Sequence, residues 1–155
     1  MKIILSCVFA LIVLVVFAFA PTFKTKAIKN IHFEKGDGIQ FIESDWNKAL
    51  AEAKKQNKLI FLDAYASWCG PCKLLKKNTF PDKEVGKYFN VNFINVAVDM
   101  EKGDGPALLQ KYGVNAFPTL IITDADGKII TYTKGYIEPK ELIKFGEFGL
   151  LQVKK

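Results

Sequence analysis

Two cysteines separated by two residues are the first place where this chain could do chemistry. Cys69 and Cys72 stand in Trp68-Cys69-Gly70-Pro71-Cys72, between an apolar run and a segment of helical character. With the second cysteine in a first helical turn, the two sulfurs come within bonding reach. The first then sits at the helix end, where free N–H groups and the helix dipole favour a thiolate. Such a cysteine can have a pKa of about 7, against about 8.5 for a free thiol. It can attack a disulfide, and its neighbour can resolve the mixed disulfide that forms.

Other uses of the pair fit less well. A closed zinc site needs about four ligands, and past residue 20 the chain offers two Cys and one distant His, His32. Haem attachment requires His directly after the second Cys, and that residue is Lys73. An inert structural disulfide remains open, although it would staple only a very small loop. No metal and no cofactor is expected beyond the Cys69–Cys72 couple itself.

The elements around the pair follow from hydrophobic patterning. Leu59–Ala66 is a short apolar run with one acid, Asp63, and suits a strand buried on both faces. Phe93–Asp99 is a second such run. Ser67–Cys72 reads as a turn and Lys73 onward as a helix. Trp46, Ala49, Leu50 and Ala53 recur at helical spacing behind Ser44, the expected N-cap, and the helix ends near Asn57. A short helix is expected from Pro81-Asp82 to about Phe89. Another runs from Pro106 to Tyr112, with Gly113 just past its end. Thr119–Thr123 and Ile129–Thr133 form a hairpin around Asp126-Gly127, and Pro139 opens the last helix. Strands alternating with helices give an α/β chain with a central mixed sheet flanked by helices.

These residues resemble the thioredoxin superfamily. The resemblance rests on Trp68-Cys69-Gly70-Pro71-Cys72, the strand before it and Phe117-Pro118-Thr119 after it, and it covers roughly residues 39–150. Residues 58–85 are similar to exported thioredoxin-like domains, closest in style to the C-terminal domain of the bacterial transmembrane thiol-reductant transporter. The long stretch Asn78–Asn92 supports that branch. The resemblance implies a thioredoxin fold and thiol:disulfide exchange. It implies that Asp63, six residues before Cys69, accepts and returns the proton of Cys72. It implies that Pro118 is a cis-proline facing the disulfide and leaves the backbone of Phe117 free for substrate, and that Trp68 stands beside the reactive thiol. With Gly70, Pro71 and Thr119 these residues make up the expected site. Gly135 matches a glycine that lets a chain approach closely. Two departures stand out. Asn95 occupies the position where many thioredoxins carry a lysine paired with the buried acid, so that pairing is expected to be lost. Phe117 is bulkier than the usual aliphatic residue.

Gly-Pro between the cysteines is typical of reducing members of that family. The expected activity is therefore reduction of protein disulfides, with electrons from a membrane thiol-reductant donor. A disulfide isomerase or oxidase is the alternative within enzymes, and a non-catalytic binding module with an inert disulfide is the alternative outside them.

The chain has 155 residues, enough for one domain. All 22 basic residues are Lys against 16 acids, a net charge of +6. Nucleic-acid sites favour the arginine fork, so nucleic acid is not an expected partner. Ile3–Ala20 is an uncharged apolar run of eighteen residues, between the length of a signal-peptide core and that of a spanning helix. Residues 1–20 read as a signal peptide or an N-terminal membrane anchor, and both send the rest of the chain across a membrane, to the periplasm or an equivalent compartment. Ala18-Phe19-Ala20 offers a small-x-small cleavage pattern. Lys24, Lys26 and Lys29, on the exported side, favour cleavage. Cys7 within this run is read as a small apolar residue rather than a lipidation site. Residues 21–38 read as a tether with a short strand at its end, 39–155 as the thioredoxin-like domain, and the protein as a monomer.

Overall fold

The computed structural model describes residues 36–153. The apolar run, Cys7, His32 and most of the tether lie outside the described residues. Among the described residues, no helix is long and apolar enough to cross a membrane.

Five strands form one mixed sheet in the order β1-β3-β2-β4-β5. They are β1 (Ile42–Glu43), β2 (Leu59–Tyr65), β3 (Phe93–Asp99), β4 (Thr119–Thr123) and β5 (Ile129–Lys134). β1, β3 and β2 run parallel, with Asp63 of β2 beside Ala97 of β3. β4 lies antiparallel to β2 with Leu120 beside Asp63, and β5 closes the hairpin antiparallel to β4. The expected central mixed sheet is thus present.

Helices cover both faces, which explains why β2 and β3 read as continuous apolar runs. They are α1 (Trp46–Gln56), α2 (Gly70–Leu74), α3 (Lys83–Asn92), α4 (Gly105–Tyr112) and α5 (Pro139–Gln152), with a π-helical turn, Leu75–Thr79, continuing α2. On one face Trp46, Ala49 and Ala53 of α1 pack on Ile60, Leu62 and Val96. On the other, Phe61 and Leu120 meet Leu75, Val85, Phe89 and Leu142. Side chains alternate along a strand, so Asp63 shares the face of Phe61 and points to the α2 side.

Local chemistry sets the helix ends. The expected cap at Ser44 moves one residue on. The Ser44 N–H donates to the Ala97 carbonyl, extending the β1 edge, and Asp45 Oδ1 accepts the Lys48 N–H at 2.9 Å. Asn57, in the left-handed region, closes α1. Asp82 caps α3 by accepting the N–H groups of Glu84 and Val85. That helix runs on to Asn92, three residues past the expected end, and passes directly into β3. α2 begins at Gly70 rather than Lys73, because Cys69 itself is the N-cap and proline is tolerated in a first turn. The short strand expected at the end of the tether is β1, a few residues later.

Residues 36–38 are tied to the domain by close backbone approach. A Cβ on Gly86 would lie 2.1 Å from the Asp37 carbonyl, and one on Gly38 would lie 2.4 Å from the Phe80 carbonyl. Asn90 completes the join: Oδ1 accepts from the Gln40 N–H at 2.9 Å and Nδ2 donates to the Gly38 carbonyl at 3.1 Å.

Candidate active site

β2 delivers the chain to the head of α2, and there the two cysteines meet. Cys69 takes extended backbone angles as N-cap, and its Sγ accepts the Cys72 N–H at 3.1 Å. The two sulfurs are joined in a disulfide with Cα atoms 5.4 Å apart. A thiolate released on reduction would keep that N–H donor, and charge-assisted bonds of this kind are stronger than neutral ones. Both cysteines are buried and pack with Ala66, Tyr65 and Phe117.

The expected site residues converge on this point from two loops. Trp68 is 65% exposed and meets Phe117 edge-on with ring centroids 5.9 Å apart. Its Nε1 donates to Glu101 Oε2 at 2.9 Å, which fixes the indole plane. Gly70 and Pro71 are exposed in the first turn of α2. The Phe117–Pro118 bond is cis, as the resemblance implied. Thr119 Oγ1 donates to the Ala116 carbonyl at 2.7 Å and holds the entry to β4. Gly135, at φ +88°, donates its N–H to the Pro118 carbonyl at 2.9 Å, a backbone conformation that favours glycine.

Asp63 is sealed at 1% exposure, and among the described residues neither carboxylate oxygen has a hydrogen-bond partner. Burial pushes its pKa up from 3.8 to about 7; Lys76 opposes the rise and Glu43 adds to it. A carboxyl poised near neutrality suits a group that takes and returns a proton. It lines an open cavity of about 380 Å³ together with Lys76, Glu43, Phe41 and Phe80.

Asn95 lies away from that cavity. It is buried, and its Nδ2 donates to Asn90 Oδ1 at 3.1 Å and to the Gln40 carbonyl at 3.4 Å. It therefore braces the segment before β1, and the lysine pairing expected to be lost is absent at this position. Sequence reasoning missed three residues: Lys76, Glu43 and Glu101. Only Lys76 left a signal, because it stands four residues after Cys72 and shares its helix face.

A family model for thioredoxin-like domains matches residues 46–150. The thiol:disulfide interchange protein DsbD of Vibrio cholerae serotype O1 is 34% identical over 111 residues, covering 70% of this chain and 18% of the relative. The chain spans about a fifth of the length of the curated relatives it matches. A candidate disulphide-isomerase from Bacteroides thetaiotaomicron superimposes with a TM-score of 0.66 at 42% identity, over 75% of this chain and 96% of that one. The oxidised C-terminal domain of DsbD from Neisseria meningitidis gives 0.59 at 25% identity, over 70% of this chain and 98% of that one.

Proposed function

Because the chain belongs to the thioredoxin-like domain family and is similar to thiol:disulfide interchange proteins, we propose that it is an exported protein-disulfide reductase working through Cys69 and Cys72. The observation that carries this reading is the closed Cys69–Cys72 pair at the head of α2, with an N–H donor on the Cys69 sulfur and an exposed aromatic rim beside it.

In the reduced protein the Cys69 thiolate attacks a substrate disulfide. A bond forms between Cys69 Sγ and one substrate sulfur, and the other substrate sulfur leaves as a thiolate and is protonated. Cys72 then gives its proton to Asp63 and attacks Cys69 Sγ. The mixed disulfide breaks, its substrate sulfur leaves as a thiolate and is protonated, and the Cys69–Cys72 bond forms. Two electrons have passed from the protein dithiol to the substrate disulfide. Trp68 and Phe117 flank the approaching substrate, with Pro118 and Thr119 shaping the groove. Asp63 acts as general base in the resolving step and as general acid when the pair is reduced again.

The Gly-Pro dipeptide supports the reducing direction, and the likeness to DsbD supports a membrane thiol-reductant donor as electron source. The apolar run Ile3–Ala20 supports export, as a cleaved signal or an anchor. The 42% identity to the candidate disulphide-isomerase favours isomerisation as the second reading. The test is the equilibrium potential of the Cys69–Cys72 pair against a dithiothreitol or glutathione buffer. A value near about −270 mV is expected for a reductase. A value near about −180 mV would favour the isomerase, and one near about −120 mV an oxidase.

A further inference from the structure

The cavity that Asp63 lines also takes in Asp37, Glu43 and Lys76, an arrangement the exchange reaction alone does not explain. Asp63 forms part of its wall. Lys76 enters from the π-helical turn, one turn after Cys72, with its Nζ 3.6 Å above the Tyr65 ring. Glu43 enters from β1, the edge strand. Lys76, Glu43 and Asp37 are all exposed, so the cavity leads from a sealed carboxyl toward solvent past charges of both signs.

Between the two half-reactions the Asp63 carboxyl holds the Cys72 proton, and whether it keeps that proton at a given pH depends on its route to solvent. The oxygens of Asp63 find no partner among the described residues, and its sheet neighbours, Ala97 and Leu120, are apolar. The cavity is therefore the polar outlet available to it. The other titratable groups nearby are Asp37, on the strap that walls the cavity, the Tyr65 phenol two residues along β2, and Asp99 at the end of β3. Asp99 is engaged by Lys102 at 3.1 Å and by the Glu101 N–H.

We propose that Lys76 and Glu43 are the positioning pair of the Asp63 relay: opposite charges at the outlet of the cavity set the pH at which the buried carboxyl passes its proton to solvent. The inference rests on the proposed exchange reaction. The lysine absent at Asn95 is replaced in this role by one from the helix that carries Cys72. The ammonium of Lys76 favours the Asp63 carboxylate. The Glu43 carboxylate favours the acid. The two act against each other, so that removing either moves the titration in a direction fixed in advance.

The experiment titrates the Asp63 carboxyl by carbon NMR in the full chain labelled on aspartate, with Asp63→Asn identifying the resonance. The pH dependence of disulfide exchange is followed in the same samples. Lys76→Gln is expected to raise the Asp63 midpoint by about half to one pH unit and Glu43→Gln to lower it by a similar amount. Lys76→Arg, which keeps the charge, is expected to restore the wild-type midpoint. The exchange profile is expected to move with the titration. Midpoints that stay put, or that move the same way in both variants, would overturn the inference while leaving the exchange reaction standing. A wild-type chain without exchange at any pH would overturn the proposed function, and the relay with it, whatever the titration does.

Discussion

Replacing Asp63 by Asn is expected to make the protein more stable, and only above a particular pH. In the folded chain the carboxyl titrates at about 7, because burial penalises its charged form; its ordinary value is 3.8. Below pH 3.8 both folded and unfolded chains hold the proton, and the site contributes no pH dependence. Between 3.8 and about 7 the folded chain keeps the proton and the unfolded chain has lost it, so stability falls as pH rises. Above 7 both are ionised and the loss is complete. At 1.36 kcal/mol per pH unit, the interval from 3.8 to about 7 corresponds to about 4 kcal/mol. An amide does not titrate, so Asp63→Asn removes this loss. The assay is denaturant unfolding of the oxidised chain at pH 4, 6 and 8. The variant is expected to match the wild type within about 1 kcal/mol at pH 4 and to exceed it by up to about 4 kcal/mol at pH 8. Resolution by Cys72 is expected to slow by about a hundredfold at neutral pH, since the general base is gone. Equal stability differences at pH 4 and pH 8, or none at pH 8, would refute the assignment of a buried carboxyl that ionises near neutrality.

Cys72→Ser is expected to accumulate mixed disulfides between Cys69 and substrate proteins, visible as reductant-sensitive bands on a gel, whereas Cys69→Ser abolishes exchange and traps nothing. A Cys72→Ser chain that captures no partner in cells would instead point to a binding module. Asn90→Ala strands the Gln40 N–H and leaves the buried Asn95 amide only its longer bond to the Gln40 carbonyl, so a stability loss of about 1–3 kcal/mol is expected by denaturant unfolding. Gly86→Ala drives a methyl group into the backbone of residues 37 and 38 and is expected to cost about 1–3 kcal/mol in the same assay.

Much of the fold was legible because its cues are local. The apolar runs of β2 and β3, the Asp126-Gly127 hairpin and the glycine after α4 each state their own conformation. The cysteine pair and the Phe117-Pro118-Thr119 segment could be recognised for the same reason, as short strings with a fixed spacing. The differences arise where distant chain decides. Ser44 and Asp45 are equally good caps in isolation, and the choice falls to Asp45 because Ser44 pairs with Ala97 of β3. β1 is two residues long and exists through its pairing with β3. Lys76 and Glu43 look like ordinary surface charges until the sheet brings residues 43, 63 and 76 around one cavity. The indole of Trp68 could be assigned to the disulfide from sequence, but its partner Glu101 lies 33 positions away, in a loop that carries no signal of that contact.

The two tryptophans give the molecule a built-in optical readout. Trp68 is chain neighbour to Cys69 and faces water, so its emission is exposed to quenching by the disulfide and recovers when the sulfurs part. Trp46 is 5% exposed, packed edge-on against Tyr112 on the opposite side of the sheet from Asp63. Its emission changes only when the domain opens. One cuvette therefore carries two signals with different meanings, one for electron transfer and one for unfolding. Trp68→Phe and Trp46→Phe separate them without an added dye.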